Sequence, residues 1–407
     1  MKEFTLMKDA PTADQRDVVL ALPIETLQDM AIRAYMRPPD RLLLTLLRSP
    51  RVRRVVVAEP FRSHLGTVLR GGRSTVLPPS GGVEGHLVSP QRWRRKDPVT
   101  LPSLRAAYRR YDRRLGRAAA RAGCKRPVVI TMYPPLAGFA DMSWAGSVMY
   151  YARDDWATYP PLRRWHPAFR HAYEEIRRRR LPVIAVSRPL LERLHPTGAG
   201  PTGAGLVVHN GVDPAEWLRP PSPPDWLRRL PRPWCVYAGT VDTRLDLDMI
   251  RRLASAGTVI LAGPIPDEAS VRSLRLLRSV RLPGHLPRPA VTGLIAAADV
   301  CLLTHRSTPL TEAMDPIKIY EYLAAGRPVL ATDLAPVRGI GRRVRLLRPG
   351  DDPVAAMNEV LIWPAVTEAD RLDFVADNSW SARHVAFLDF VLGPAAPAES
   401  RLLAVQP

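Results

Sequence analysis

The stretch DPIKIYEYLAAGRPVLATDL, Asp315–Leu334, decides how the rest of this chain is read. Asp315 has a side chain that caps helices, Pro316 suits a first helical turn, and Gly326 suits a helix end. A strand, Pro328–Thr332, follows. The helix N-terminus therefore points toward the rim of a parallel sheet, where open α/β folds bind ligands. Free N–H groups and the helix dipole attract anions there, so Asp315, Pro316 and Ile317 become candidates for a phosphate site. Lys318 stands in the same turn and is the only lysine after residue 125. A lysine kept in an arginine-biased chain suggests a point charge for phosphate. Glu321 lies one turn further on the same face, and the bland alternative is an ordinary helical ion pair between the two.

Outward from this stretch, apolar runs alternate with helical patterns. The spacing predicts strands at Cys235–Ala238, Thr258–Ala262, Val280–Leu282 and Val300–Thr304, with helices at Leu247–Ala256, Asp267–Arg278 and Ala290–Ala298 between them. The first half shows the same scheme at Val18–Leu22, Arg54–Ala58, His86–Val88, Val128–Met132, Val148–Tyr151 and Val183–Val186. These strands are Val/Ile-rich and unbroken, as strands covered on both faces are. A basic helix, Leu104–Ala122, is expected between two of them, capped by Ser103 and ended by Gly123. Such alternation predicts an α/β protein with two doubly wound, parallel-sheet domains. The Pro/Gly tract Pro196–Gly205 and the proline-dense Pro220–Pro233 place a hinge near residue 205, giving domains at 1–205 and 206–378. A last amphipathic helix, Ser379–Val391, needs a surface to pack on.

The Asp315–Gly326 motif resembles the donor-binding signature of the retaining glycosyltransferase family 4 superfamily (glycosyltransferase group 1), in particular the branch written P-x-K-x-x-E-Y-L-A-A-G-x-P-V. Teichuronic acid glycosyltransferases and related glucuronosyltransferases resemble that branch. Further segments agree in order: VSRPLLERL at Val186–Leu194, VVHNGVDPAEW at Val207–Trp217, VYAGTV at Val236–Val241, LAGP at Leu261–Pro264, LPGHLP at Leu282–Pro287 and AADVCLLTH at Ala297–His305. The resemblance implies the GT-B fold: two Rossmann-like domains facing across a cleft, with residues 379–407 crossing back onto the N-terminal, acceptor-binding one. It implies that Lys318 holds the donor diphosphate and Glu321 the ribose hydroxyls. It also implies that Gly239, Thr240 and Gly263 approach the phosphates with their backbone, aided by Arg244, and that His285 and Leu286 face the base. The second glutamate of the common pattern is absent: Ala313 stands eight residues before Glu321, and Glu312 is one residue off.

After the Val148–Tyr151 strand comes ARDDW, where Asp155, or Asp154, is a candidate base for deprotonating an acceptor hydroxyl; the bland alternative is a helix cap. His209 and Asp213 look like strand-end and turn residues. No histidine or cysteine spacing suggests a metal, so neither a metal nor another cofactor is expected.

The formal charge is +20, from 59 Lys and Arg against 39 Asp and Glu, yet only five of the cations are lysine. Arginine as surface filler explains much of this. Attraction to an anionic membrane surface through Leu104–Ala122 and Arg177–Arg180 comes next, and no nucleic-acid module is visible. No apolar run approaches the ~20 residues of a membrane span. The three cysteines, Cys124, Cys235 and Cys301, and the polar start suggest a reduced, cytoplasmic protein, peripheral at the inner face of a membrane. The expected function is transfer of a hexosyl or uronosyl group from a nucleotide-sugar donor to a hydroxyl acceptor. That acceptor would be a cell-envelope glycan, a lipid-linked saccharide or a secondary metabolite. A nucleotide-sugar epimerase on the same fold and a non-enzymatic basic binding protein are the alternatives, and the sequence says nothing of oligomeric state.

Overall fold

The computed structural model describes residues 15–63, 76–93, 96–195 and 205–394. Most of the hinge tract Pro196–Gly205, part of the loop between Phe61 and Thr100, and both ends of the chain lie outside them. The chain divides into two compact units. Among the described residues, one comprises those up to Ala185, Leu191–Val207 and those from His384 on; the other comprises Val186–Leu190 and Val208–Arg383.

The first unit is built on strands β1 (Arg16–Ala21), β2 (Val52–Ala58), β3 (Glu84–Val88), β4 (Val128–Thr131), β5 (Ser147–Ala152), β6 (Val183–Ala185) and β7 (Gly205–Val207). Their order is β3-β2-β1-β4-β5-β6-β7, with every pair parallel. The strand order reverses between β1 and β4, which is the switch point of a doubly wound sheet. Val18, Val19, Leu20 and Ala21 are wholly buried, so β1 is covered on both faces.

Helix α1 (Leu101–Arg121) starts three residues before the expected Leu104. Ser103 does not cap it. Thr100 holds the N-cap position without a side-chain bond, and Pro102 sits in the first turn, where its missing N–H costs nothing. Gly123, at φ +72°, ends it as anticipated. Among the helices that went unanticipated are Pro38–Arg48 and α2 (His166–Arg178). The double proline of the former reads as a breaker but occupies the first turn, and Leu42, Leu43, Leu46 and Leu47 are buried beyond it.

The second unit has strands β8 (Trp234–Ala238), β9 (Thr258–Ala262), β10 (Val280–Gly284), β11 (Val300–Leu303), β12 (Val329–Thr332) and β13 (Val344–Leu347). Their order, β10-β9-β8-β11-β12-β13, repeats the reversal, here between β8 and β11. Along β8 the side chains alternate between two cores: Val236 and Ala238 on one face, Cys235 and Tyr237 on the other. Helix α3 (Ile317–Ala324) packs beside β11 and β12 and closes with Gly326 at φ +70°. Arg327 N–H reaches Tyr322 O at 3.0 Å and Gly326 N–H reaches Leu323 O at 2.9 Å, the paired bonds of a Schellman end.

The last helix, α4 (Trp380–Leu392), contributes His384 onward to the first unit. There Arg51 pairs with Asp389 at 2.6 Å, Phe387 meets Tyr151 edge-on, and Thr45 Oγ1 lies 2.6 Å from His384 Nδ1. Burial, with Arg41 nearby, lowers the His384 imidazole to about 3. The unfolded chain therefore binds a proton here that the folded chain refuses. Stability from this group is complete above pH 6.5 and is lost as the pH falls toward 3, at ~1.4 kcal/mol per pH unit. Urea unfolding from pH 7 to pH 4 is expected to show this slope, and His384→Gln to flatten it.

Candidate functional site

The candidate site lies in the second unit at the switch between β8 and β11. Strand β8 ends in Gly239 at φ +152°, and β9 ends in Gly263 at φ +151°. Gly239 N–H donates to Ala262 O at 2.7 Å, and Gly263 N–H to Gly284 O at 2.8 Å. No side chain fits at either position. A Cβ on Gly263 would stand 2.1 Å from Gly239 O, and one on Gly239 would stand 1.9 Å from Lys318 Cε. The Lys318 stem thus lies along the bare Gly239 backbone, with Nζ 5.4 Å from the centre of the Tyr237 ring. Gly239, Gly263 and Lys318, the residues expected from sequence to grip a phosphate, are thus brought together from three separate segments.

Tyr237 and His305 brace the site from beneath. The Tyr237 hydroxyl donates to Thr240 O at 3.0 Å, which uses its one hydrogen. Its oxygen, 3.3 Å from His305 Nε2, must then accept from that nitrogen. His305 is accordingly the Nε2–H tautomer, and its buried Nδ1 has no partner among the described residues. Burial, then the Lys318 and Arg244 cations, holds this imidazole far below its usual range, so it stays neutral. His305 was legible only as the end of the AADVCLLTH segment; nothing in one sequence marks it as a brace.

Two expectations change. Asp315 is not the helix cap: Pro316 occupies that position, without a side-chain bond. The buried Asp315 carboxylate instead accepts Asn210 N–H at 2.6 Å and the Tyr320 hydroxyl at 3.0 Å, and His209 Nδ1 lies 3.3 Å away. It ties the start of α3 to the turn after β7. Arg244 does not point an idle charge at the grip, because Asp242 clamps its guanidinium with bonds of 2.9 and 2.8 Å. Thr240 offers its carbonyl to Tyr237, as above. Ile317 is half-buried, His285 is exposed, and Leu286 packs against the core.

Glu321 is buried and accepts from Arg288 Nη2 at 2.6 Å. Arg288 also pairs with Glu216, at 3.0 Å through Nε, and lies over Trp217. Burial opposes the Arg288 charge, but the facing Glu321 and Glu216 outweigh it and raise its pKa. Arg288→Ala removes the cation that Glu321 and Glu216 share. It is expected to cost ~2 kcal/mol of stability, read from the urea midpoint, with Arg288→Lys recovering part of it. Glu312 accepts from Ser307 Oγ at 2.6 Å and from Ala335 N–H at 3.0 Å, bracing two loops. Ala313 is buried, and its carbonyl accepts from Ser187 Oγ at 2.5 Å.

In the first unit Asp155 is buried and its carboxylate is fully engaged. It accepts Ala157 N–H at 3.1 Å and Thr158 Oγ1 at 2.9 Å, lies 3.4 Å from the Tyr173 hydroxyl, and is ion-paired with Arg193. That is a turn anchor, whereas a general base needs an open lone pair at the acceptor. Asp154 beside it is half-buried. Among the described residues no group of three or more His, Cys, Asp or Glu is placed to hold a metal ion.

Residues 236–363 match the family model described as Glycosyl transferases group 1. A curated relative, TuaH of Bacillus subtilis, named as a teichuronic acid biosynthesis glycosyltransferase, is 29% identical over 103 residues; the match spans 24% of this chain and 26% of that protein. Sucrose-phosphate synthase from Thermosynechococcus elongatus superposes with TM-score 0.63 at 16% identity, covering 96% of this chain and 100% of that one. Trehalose 6-phosphate synthase from Burkholderia multivorans gives 0.63 at 12% identity, covering 93% and 98%. Anabaena HepE, solved with UDP and glucose, gives 0.54 at 16% identity, covering 95% and 98%. The likeness to the solved structures runs the length of the chain and shows the GT-B fold, and the match to the group 1 glycosyltransferases lies in the second unit, where Gly239, Gly263 and Lys318 come together.

Proposed function

We propose that this protein transfers a glycosyl group from a nucleoside diphosphate sugar to a hydroxyl acceptor. The supporting observation is the Lys318 side chain laid along the Gly239 backbone at the switch point, one helical turn from Glu321. A departing diphosphate develops negative charge. Lys318, the α3 N-terminus and the backbone beyond β8 and β9 oppose that charge without a protein-bound metal. Glu321, oriented by Arg288, takes the ribose hydroxyls, and Leu286 with His285 borders the base. With Asp155 locked, Asp154 is the carboxylate of the pair suited to accept the acceptor proton. Asp154→Asn is expected to lower turnover ~100-fold with donor affinity unchanged. Unchanged turnover would assign the proton to the departing phosphate.

A thermal-shift screen over UDP-, GDP- and dTDP-sugars tests the donor class: one of them should raise the melting temperature, and stabilisation by none would sink the proposal. Incubation with donor alone, followed by chromatography, separates transfer from epimerisation, because only an epimerase yields a new isomer without acceptor. The acceptor we favour is a cell-envelope or lipid-linked saccharide, reached by a cytoplasmic protein at an anionic membrane. Arg109, Arg110, Arg113, Arg114, Arg117 and Arg121 of α1 are exposed, as are Arg177, Arg178 and Arg180 at the end of α2. No helix among the described residues is long and apolar enough to cross a membrane. Co-sedimentation with phosphatidylglycerol vesicles should be strong at low salt, weak at 0.5 M salt, and absent with phosphatidylcholine.

A further inference from the structure

The second unit holds a cavity of about 400 Å³ on the side of α3 away from the phosphate grip. Lys318 and Tyr320 are two residues apart, roughly 200° around the helix, so a side chain lining one site cannot line the other. Tyr320 lines the cavity together with His209, Asn378 and three arginines, Arg188, Arg338 and Arg383. Its size falls in the range of small-molecule pockets, roughly 300–1,000 Å³.

The charges in its wall do not cancel. Asp315 is taken up by His209, Asn210 and Tyr320, as described above. Asp333 is taken up by Arg338 at 2.6 Å. Arg383 lies over the Tyr320 ring and donates to the Asn378 amide oxygen, which brings no negative charge. Its Nε is buried without a partner among the described residues. A guanidinium N–H shut away from water needs an acceptor, and an anion is the acceptor that also balances the charge. Arg188 is exposed and lines the same cavity.

We propose that this cavity is a second binding site, for a small molecule bearing a phosphate ester or a carboxylate, held by Arg383 and Arg188 and independent of the diphosphate grip. The proposal stands apart from the transferase assignment, since none of these side chains belongs to the grip. Asp315 joins the two sites, because one side chain fixes both the cavity wall and the start of α3.

Calorimetric titration of the full chain with glucose 6-phosphate and with D-glucuronate tests it. At least one should bind, and equally well to wild type and to Lys318→Ala. Affinity should fall at least ten-fold in Arg188→Ala and in Arg383→Gln, while both variants keep wild-type affinity for nucleoside diphosphate. Because Arg188 is exposed, its variant stands as the folding control for the half-buried Arg383. Binding of the sugar phosphate alone assigns a phosphate ester, of the uronate alone a carboxylate, and of both an oxyanion site shared between them. Binding of neither, binding undisturbed in both arginine variants, or loss in Lys318→Ala overturns the proposal.

Discussion

Replacing Gly239 by alanine is expected to cost as much donor affinity as removing the Lys318 amine. The new methyl would occupy the space of Lys318 Cε at 1.9 Å and crowd Nζ at 2.5 Å, while φ +152° disfavours any side chain. The lysine must leave its track along the backbone, and the diphosphate loses its cation. A charge-assisted bond of this kind is worth ~1.5–3 kcal/mol, so Gly239→Ala and Lys318→Ala should each weaken nucleoside diphosphate binding roughly 10- to 150-fold. The two losses should not add, because the second change removes what the first has already displaced. Calorimetry on both single variants and the double variant measures this. Full additivity, or an unchanged Lys318→Ala affinity, would remove Lys318 from the donor site.

Asp155→Ala is expected to damage folding rather than chemistry. The substitution strands the Arg193 guanidinium and removes the acceptor for Ala157 N–H and the Thr158 hydroxyl. The pair is buried only on the Asp155 side, Arg193 being 35% exposed, so its loss together with the turn bonds costs ~1–3 kcal/mol. The urea midpoint should drop by that equivalent, and Asp155→Asn, which keeps the turn bonds but not the charge, should fall between. An unchanged midpoint with lost turnover would return Asp155 to the role of base.

The strands were legible because they are buried on both faces: Thr258–Ala262 and Val128–Thr131 are unbroken apolar runs that admit one interpretation. Strand β13 was not, since Val344–Leu347 is mostly half-buried and sits in the arginine-rich GRRVRLLRPG, where it resembles loop. Helix α2 hid for a similar reason, its arginines drawing attention as charge while Phe169, Ala172 and Ile176 formed the buried stripe. In the site, Lys318, Glu321 and Gly239 stood out by residue type and position. Arg288 is one of 59 basic residues and carried no mark. Asp315 was read as a local cap and Asp155 as a base, yet Asp315 is spent on the distant Asn210, and Asp155 on its own turn and the distant Arg193.

The edge formed by Gly239 and Gly263 has an evolutionary meaning. It presents main chain rather than side chains, and main chain is the one surface that point mutation does not rewrite. Under the proposed function, a lineage can therefore exchange one nucleotide base or sugar for another by altering neighbouring residues such as His285, while the diphosphate stays gripped throughout. The two glycines make the costly part of recognition heritable and leave the selective part free to drift.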